Sequence, residues 1–244
     1  MKWKIQISGP KELLLELSEI LTDEDFRLVH IDGDFFIESI AFDQISTPDE
    51  MIKMVGNNLD LLTNSVHLIR GIAEPIKVGG IARRKDDGSK VISPLALKDH
   101  IPLSNNLKIK VSWAKGKVIN KEGKDVTPHP ANDIKRMFDT ARSYDEIYKA
   151  VFLLATRPMD WNSLYKLLDL IADDVGGFKE IKSRGWASKN SLERIHHTSV
   201  SYEEAGIDSR KLTQKQKPPS KPISLKQARS IMLSMFHNWW REKS

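Results

Sequence analysis

The adjacent histidines His196 and His197 are the first residues whose types suit metal binding or proton transfer. Successive residues on an α-helix project about 100° apart, so the two imidazoles do not converge on one ion. Glu193, three positions before His196, adds a single carboxylate. A catalytic zinc site needs about three protein ligands, and one histidine with one glutamate is too few. The sequence therefore predicts no metal site, and we assign the pair to surface or capping roles.

No other motif supports a catalytic centre or a resident cofactor. The run Val78-Gly79-Gly80 precedes no phosphate-binding helix, and neither GxGxxG nor GxxxxGK[ST] occurs in the sequence. The serine-nucleophile pattern GxSxG does not occur either. The chain has no cysteine, which excludes disulfides, thiolate zinc sites, iron–sulfur clusters and cysteine nucleophiles. We expect no catalytic residue, no metal and no cofactor.

The basic residues are concentrated towards the end of the chain. Residues 178–230 hold twelve lysines and arginines against five acids, a charge of 12 − 5 = +7, whereas the whole chain carries +5 and the remainder therefore −2. Such asymmetry favours an anionic partner, although a solvated surface kept soluble by its charge has the same composition. The candidate nucleic-acid contacts are Lys189, Arg194, Arg210 and Lys211.

The spacing of residues 164–200 is that of a helix-turn-helix unit. A helix, two glycines, a short helix, Gly185-Trp186 and another helix follow one another. Ser188 to Ser191 would open the recognition helix, with Arg194 one turn further along, where polar side chains contact bases or phosphates. An ordinary helical hairpin has the same spacing and carries no chemistry. Both interpretations remain open from the sequence.

The first half of the chain alternates between hydrophobic periods of 2 and 3.6, which predicts alternating strands and helices. The predicted elements are strands at 3–7, 26–31, 35–42, 76–82, 90–93 and 107–113, and helices at 11–21 and from Thr47. Asp32-Gly33 suits the type I′ turn of a hairpin. The order β, α, β, β, α, β matches a ferredoxin-like split βαβ with an added hairpin. The fold class is therefore α+β, with an α/β domain at 1–125 and an all-helical domain at 126–244.

The helix that starts at Thr47 carries an apolar seam. Thr47-Pro48-Asp49-Glu50 supplies a capping hydroxyl, a proline at the first position and a glutamate at the third. The seam consists of Ile52, Val55, Leu59, Leu62, Val66 and Ile69. Such a seam packs on a sheet or on a partner helix. Gly56 allows a kink or a division into two shorter helices.

The second domain is predicted to be helical throughout. Ser143 with Glu146, and Ser224 with Gln227, have the spacing of capping boxes at the starts of two helices. Asp160 is expected to cap a third helix that ends at Gly176-Gly177. The final helix should seal the core of this domain, with either Trp239 or Trp240 partly exposed, because adjacent residues face different directions.

The last third of the chain resembles a group of uncharacterised bacterial proteins with a helical C-terminal domain. The shared motifs are the helix end at 173–177 (DDVGG), the segment 185–188 (GWAS), and a PPxxP[MI]SLxxAR run at 218–229. Some such helical domains are similar to HEPN-type ribonucleases, whose catalytic arginine and histidine are four to six residues apart. Arg194 precedes His196 and His197 too closely, and Arg210 has no histidine before His237. The resemblance therefore implies an inactive or different site.

The N-terminus and the hydropathy profile predict neither a signal peptide nor a membrane span. We expect a cytoplasmic protein of bacterial type that does not contact a membrane. The leading functional hypothesis is a non-enzymatic binding or assembly protein, whose partner is another protein or a second copy of itself. The alternatives are a nucleic-acid-binding protein that uses the basic segment, and a degenerate HEPN-like ribonuclease.

Overall fold

The computed structural model describes residues 3–45, 47–84, 90–94, 130–210 and 220–244. These residues form two compact units, and the division between them falls after Phe138. The boundary predicted at residue 125 lies outside the described residues and stays a prediction. Within the part of the chain that is described, no helix is long and apolar enough to cross a membrane.

The first unit contains a five-stranded antiparallel sheet. Its elements are β1 (Trp3–Ser8), α1 (Lys11–Ile20), β2 (Arg27–Ile31), β3 (Asp34–Glu38), α2 (Pro48–Arg70), β4 (Lys77–Arg84) and β5 (Lys90–Pro94). The strand order is β2-β3-β1-β4-β5, and every neighbouring pair is antiparallel. This is the arrangement of a split βαβ with β5 added at one edge, as predicted. The strand predicted at 107–113 lies outside the described residues.

The β2–β3 hairpin turns at Asp32 and Gly33, whose φ angles are 54° and 88°. Positive φ at both central residues is the type I′ geometry predicted from the sequence. The prediction that β3 continues to Phe42 is wrong, because the strand ends at Glu38. The Ser39 hydroxyl accepts from the Ala41 amide and begins a 3₁₀ turn, Ile40–Gln44.

Helix α2 is continuous from Pro48 to Arg70. The Thr47 hydroxyl accepts from the Glu50 amide at 3.4 Å, and Gly71 ends the helix at φ 69°. Most of the predicted apolar seam is buried, with at most 4% exposure at Val55, Leu59, Leu62, Val66 and Ile69. This part of the seam is covered within the chain itself.

The remaining elements in the described part of the chain are helices. The helices are α3 (Pro130–Ser143), α4 (Asp145–Thr156), α5 (Trp161–Val175), α6 (Phe178–Ser183), α7 (Lys189–Val200), α8 (Tyr202–Ala205) and α9 (Leu225–Lys243). Helix α3 belongs to the first unit as far as Phe138, and the second unit begins at Asp139. An α+β fold with a helical C-terminal part is therefore confirmed.

Two of the three predicted caps in the second unit are confirmed. The Asp160 carboxylate accepts from the Ser163 amide at 2.7 Å, and Ser224 forms a complete capping box with Gln227. The capping box predicted for Ser143 is wrong. The Ser143 hydroxyl donates to the Asp139 carbonyl at 3.0 Å instead, because Ser143 is still the last residue of α3.

Helix α9 packs against α5 in the core of the second unit. Trp239 and Trp240 are each only 1% exposed, so the prediction that one of them is partly exposed is wrong. Trp239 donates its indole N–H to the Asp174 carboxylate at 2.8 Å, and Lys243 contacts the other oxygen of that carboxylate at 2.9 Å. Asp174 at the end of α5 therefore provides the hydrogen-bond acceptor that the buried indole N–H of Trp239 needs.

Candidate functional site

The Arg210 guanidinium lies over an aromatic ring of helix α5. Its guanidinium carbon is 4.1 Å from the centroid of the Tyr165 ring, and its Nη1 donates to the Tyr165 hydroxyl. The Arg210 backbone amide donates to the Ser199 carbonyl at 2.9 Å, at the end of α7. Both ends of the residue are thus held, which restricts the orientation of the guanidinium.

His196 contacts the same tyrosine from helix α7. The centroids of the His196 and Tyr165 rings are 5.6 Å apart, and those of the His196 and Phe178 rings are 6.1 Å apart at 75°. The neighbouring His197 ring is 5.5 Å away at 77° to His196. Because the two imidazoles lie nearly perpendicular, they face different surroundings. The His196 imidazole and the Arg210 guanidinium therefore both contact the ring of Tyr165.

Asp169 places a carboxylate one helical turn beyond Tyr165. Its Oδ2 lies 4.0 Å from Nη2 of Arg210. Burial raises the pKa of the Asp169 carboxyl above its ordinary value; Arg210 opposes that rise, and Asp173 adds to it. Burial and the charge of Asp169 also raise the pKa of the Tyr165 phenol, which stays protonated and able to donate at neutral pH. We call Tyr165, Asp169, His196 and Arg210 the Arg210 cluster.

Of the three predicted contact residues that the structure describes, Arg210 alone belongs to this cluster. Arg194 lies apart from it, because its Nε and Nη2 donate to the carbonyls of Lys221 and Pro222, each at 2.9 Å. Lys189 forms an exposed ion pair with Glu193 at 3.6 Å. Lys211 lies outside the described residues. Arg194 therefore fixes the backbone of the segment that precedes α9.

Sequence reasoning missed Tyr165 and Asp169 as partners of Arg210. Their spacing of four residues on α5 places them on one helix face, which is a signal present in the sequence. No sequence pattern near Tyr165 indicates Arg210 as its partner, because the two residues are 45 positions apart in the chain. The sequence draws attention to His196 as a possible metal ligand, whereas the structure shows it in contact with Tyr165. Among the described residues, no group of three or more acidic or histidine side chains is placed to hold a metal ion.

Comparison of the chain with protein-family models, with curated proteins and with solved structures finds no match.

Proposed function

We propose that the protein is a non-enzymatic binding protein whose second unit holds the phosphate groups of a nucleic acid. One observation carries the proposal: the Arg210 guanidinium lies on Tyr165 while its side chain remains 48% exposed. A guanidinium presents five N–H donors in a planar fork that matches two oxygens of a phosphate. The contact with Tyr165 and the bond from the Arg210 amide to Ser199 hold the guanidinium in place before a ligand arrives.

Most of the donors of Arg210 remain available to a ligand. Nη1 donates to the Tyr165 hydroxyl, while the one approach of Nη2 to a charged group of the described residues is the loose 4.0 Å distance to Asp169. An ion pair between half-exposed groups contributes about 0–1 kcal/mol. A phosphate that accepts two charge-assisted hydrogen bonds therefore competes well with Asp169. Burial raises the pKa of the Asp169 carboxyl, so this competition should weaken further as the pH falls.

His196 supplies a second group on the ligand side. Its ring is half-buried beside Tyr165, and the exposed His197 ring follows it. Imidazole rings donate to phosphate oxygens and stack on unpaired bases. A phosphate at Arg210 thus brings the adjoining nucleotide towards the His196 ring.

The test is an anisotropy titration of labelled single-stranded RNA and duplex DNA at about 50 and 200 mM salt. We expect affinity that falls as salt rises, and that is reduced by Arg210→Ala and by Arg210→Lys, which keeps the charge but not the fork. Arg157→Ala, an exposed arginine of the same unit, is the matched control. A salt-independent signal, or an equal loss in the control, would refute the proposal.

A specific observation favours the degenerate HEPN-like ribonuclease as a second candidate. An arginine and a histidine contact the same tyrosine, although their spacing in the sequence does not match the HEPN pattern. General acid–base cleavage of RNA needs such a pair close to one phosphate. Incubating labelled RNA with excess purified protein tests this candidate. Cleavage that is lost in His196→Ala would replace the non-enzymatic proposal, whereas intact RNA would dismiss the ribonuclease.

Assembly through helix α2 has less support than the sequence suggested. The buried part of its seam is already covered within the chain, so that part offers no apolar face to a second protein. The hypothesis of a protein partner must therefore rest on another surface.

A further inference from the structure

Ring contacts connect Arg210 with helix α6. The His196 ring contacts Tyr165, over which Arg210 lies, and it also contacts Phe178 at the start of α6. Helix α6 packs against both α5 and α7, so these contacts join three helices. Arg210 and Phe178 therefore belong to one connected group of side chains in the second unit.

Phe178 is the ring of this group that can offer a face to a ligand. Tyr165 is only 5% exposed, whereas Phe178 is half-buried. His196 meets Phe178 at an interplanar angle of 75°. A nearly perpendicular contact sets the edge of one ring against the face of the other, so His196 covers at most one face of Phe178. An aromatic face therefore lies two ring contacts away from the candidate phosphate site at Arg210.

Lys182 adds a positive charge on the same side of α6. Residues four positions apart share a helix face, and side chains lean towards the N-terminus of their helix, which directs Lys182 towards Phe178. Lys182 is exposed, and no ion pair joins its ammonium group to a described residue. Glu180 projects about 200° away from Phe178. Its carboxylate accepts from the Ser183 hydroxyl at 3.3 Å, so this acid does not oppose Lys182 beside the ring.

A positive charge on each side of an aromatic face is the pattern that binds a single nucleic-acid strand. Lysine and arginine side chains follow the phosphates, and the bases stack on aromatic rings. The bases of a duplex are already paired and stacked, so their faces do not reach such a ring. A duplex would therefore gain nothing from Phe178.

We propose that the second unit binds a single strand in preference to a duplex, with one phosphate at Arg210, an unpaired base on Phe178 and another phosphate at Lys182. This inference rests on the proposed function, because Arg210 is the phosphate contact in both. It adds the requirement for a base and the contacts at Phe178 and Lys182. Every base has an aromatic face, so the preference for a strand does not depend on its sequence.

The experiment measures the affinity of the full chain for three labelled probes by anisotropy. The probes are an RNA strand, the same strand annealed to its complement, and a strand of equal length that lacks bases. We expect the RNA strand to bind at least about fivefold more tightly than either of the others, since stacking of one base contributes that much. The strand without bases keeps the phosphates and thus isolates the contribution of the bases.

A substitution at Phe178 tests the stacking contact. Phe178→Leu keeps an apolar side chain but removes the ring, so it should weaken binding of the RNA strand about fivefold and leave the strand without bases unaffected. Phe152→Leu is the matched control, because Phe152 is also half-buried and also contacts one ring of the second unit.

Two lysines of α6 test the second phosphate contact. Lys182→Ala should weaken binding and reduce the slope of affinity against salt by about one. Lys179→Ala removes the same charge from the same helix, but Lys179 follows Phe178 directly and projects about 100° away from it. We expect the Lys179 variant to retain the salt slope of the parent. Equal slopes in the two variants would overturn the contact at Lys182.

Three outcomes would overturn the preference for a single strand. They are equal or tighter binding of the duplex, equal binding of the strand without bases, and a loss in Phe152→Leu as large as that in Phe178→Leu. If binding in these cases is still weakened by Arg210→Ala, the proposed function stands without this inference. No binding of any probe would overturn both.

Discussion

Trp239 in the last helix donates its indole N–H to Asp174 at the end of α5, at 2.8 Å. This bond joins the DDVGG segment, one of the motifs on which the resemblance in the last third rests, to the last helix. Asp174 therefore has a structural role that is independent of any ligand. The bond explains how a tryptophan that is 1% exposed keeps its polar atom satisfied.

Replacing Asp174 should destabilise the second unit. Asp174→Ala leaves a buried indole N–H without an acceptor, which costs about 1–3 kcal/mol. Asp174→Asn keeps an acceptor but loses the charge facing Lys243, so its cost should be smaller. Urea unfolding followed by tryptophan fluorescence measures both. Equal stability of Asp174→Ala and the parent would contradict the assigned bond, and a double-mutant cycle with Trp239→Phe isolates it.

Arg194 should matter for the start of α9 and not for nucleic acid. Arg194→Ala removes two hydrogen bonds to the carbonyls of Lys221 and Pro222, and we expect a loss of about 1 kcal/mol in stability. Amide exchange should accelerate at the first turn of α9, near Gln227. A selective loss of RNA affinity with unchanged exchange would instead restore Arg194 as a phosphate contact.

Asp169 should make the stability of the second unit depend on pH. Its raised pKa means that the folded state keeps the proton to a higher pH than the unfolded chain does. Its contribution to stability is therefore fully present below the ordinary aspartate pKa and is lost as the pH rises through the raised value. Asp169→Asn should exceed the parent in stability at neutral pH, and the difference should close in acid.

Urea unfolding at pH 7 and at stepwise lower pH checks this expectation. Asp208→Asn, an exposed aspartate of the same unit, controls for the loss of one negative charge. A variant that is less stable than the parent at neutral pH would show that the contact with Arg210 outweighs burial.

The same Asp169 variant should bind RNA more tightly than the parent, because the acid that competes for Arg210 is gone.

Two glycines of the first unit should respond to alanine with opposite signs. Gly33 has φ 88° and Gly56 lies within α2, and an added methyl group meets no atom within 4 Å at either position. Only backbone conformation then distinguishes them. Gly33→Ala should cost about 1 kcal/mol, and Gly56→Ala should gain about 0.5–1 kcal/mol. Thermal unfolding of the pair checks the turn and the continuity of α2 together.

The sequence by itself determined the elements whose signals lie within a few residues. Thr47, Asp160 and the Ser224–Gln227 pair cap helices as predicted, and Asp32-Gly33 turns the hairpin. Each depends on hydrogen bonds or φ angles confined to one turn of chain, so neighbouring residues contain the whole signal. The order of the sheet follows from the same elements, since few topologies accommodate short, right-handed connections.

Only the tertiary structure decided the outcomes that depend on distant partners. Ser143 lost its predicted cap because α3 extends through it and supplies the Asp139 carbonyl within reach. Both tryptophans of α9 are buried, and one of them needs an acceptor 65 residues away. Arg210 meets Tyr165 across 45 residues. Periodicity describes which face of a helix is apolar, but packing alone selects what lies against that face, and such contacts leave no local pattern in the chain.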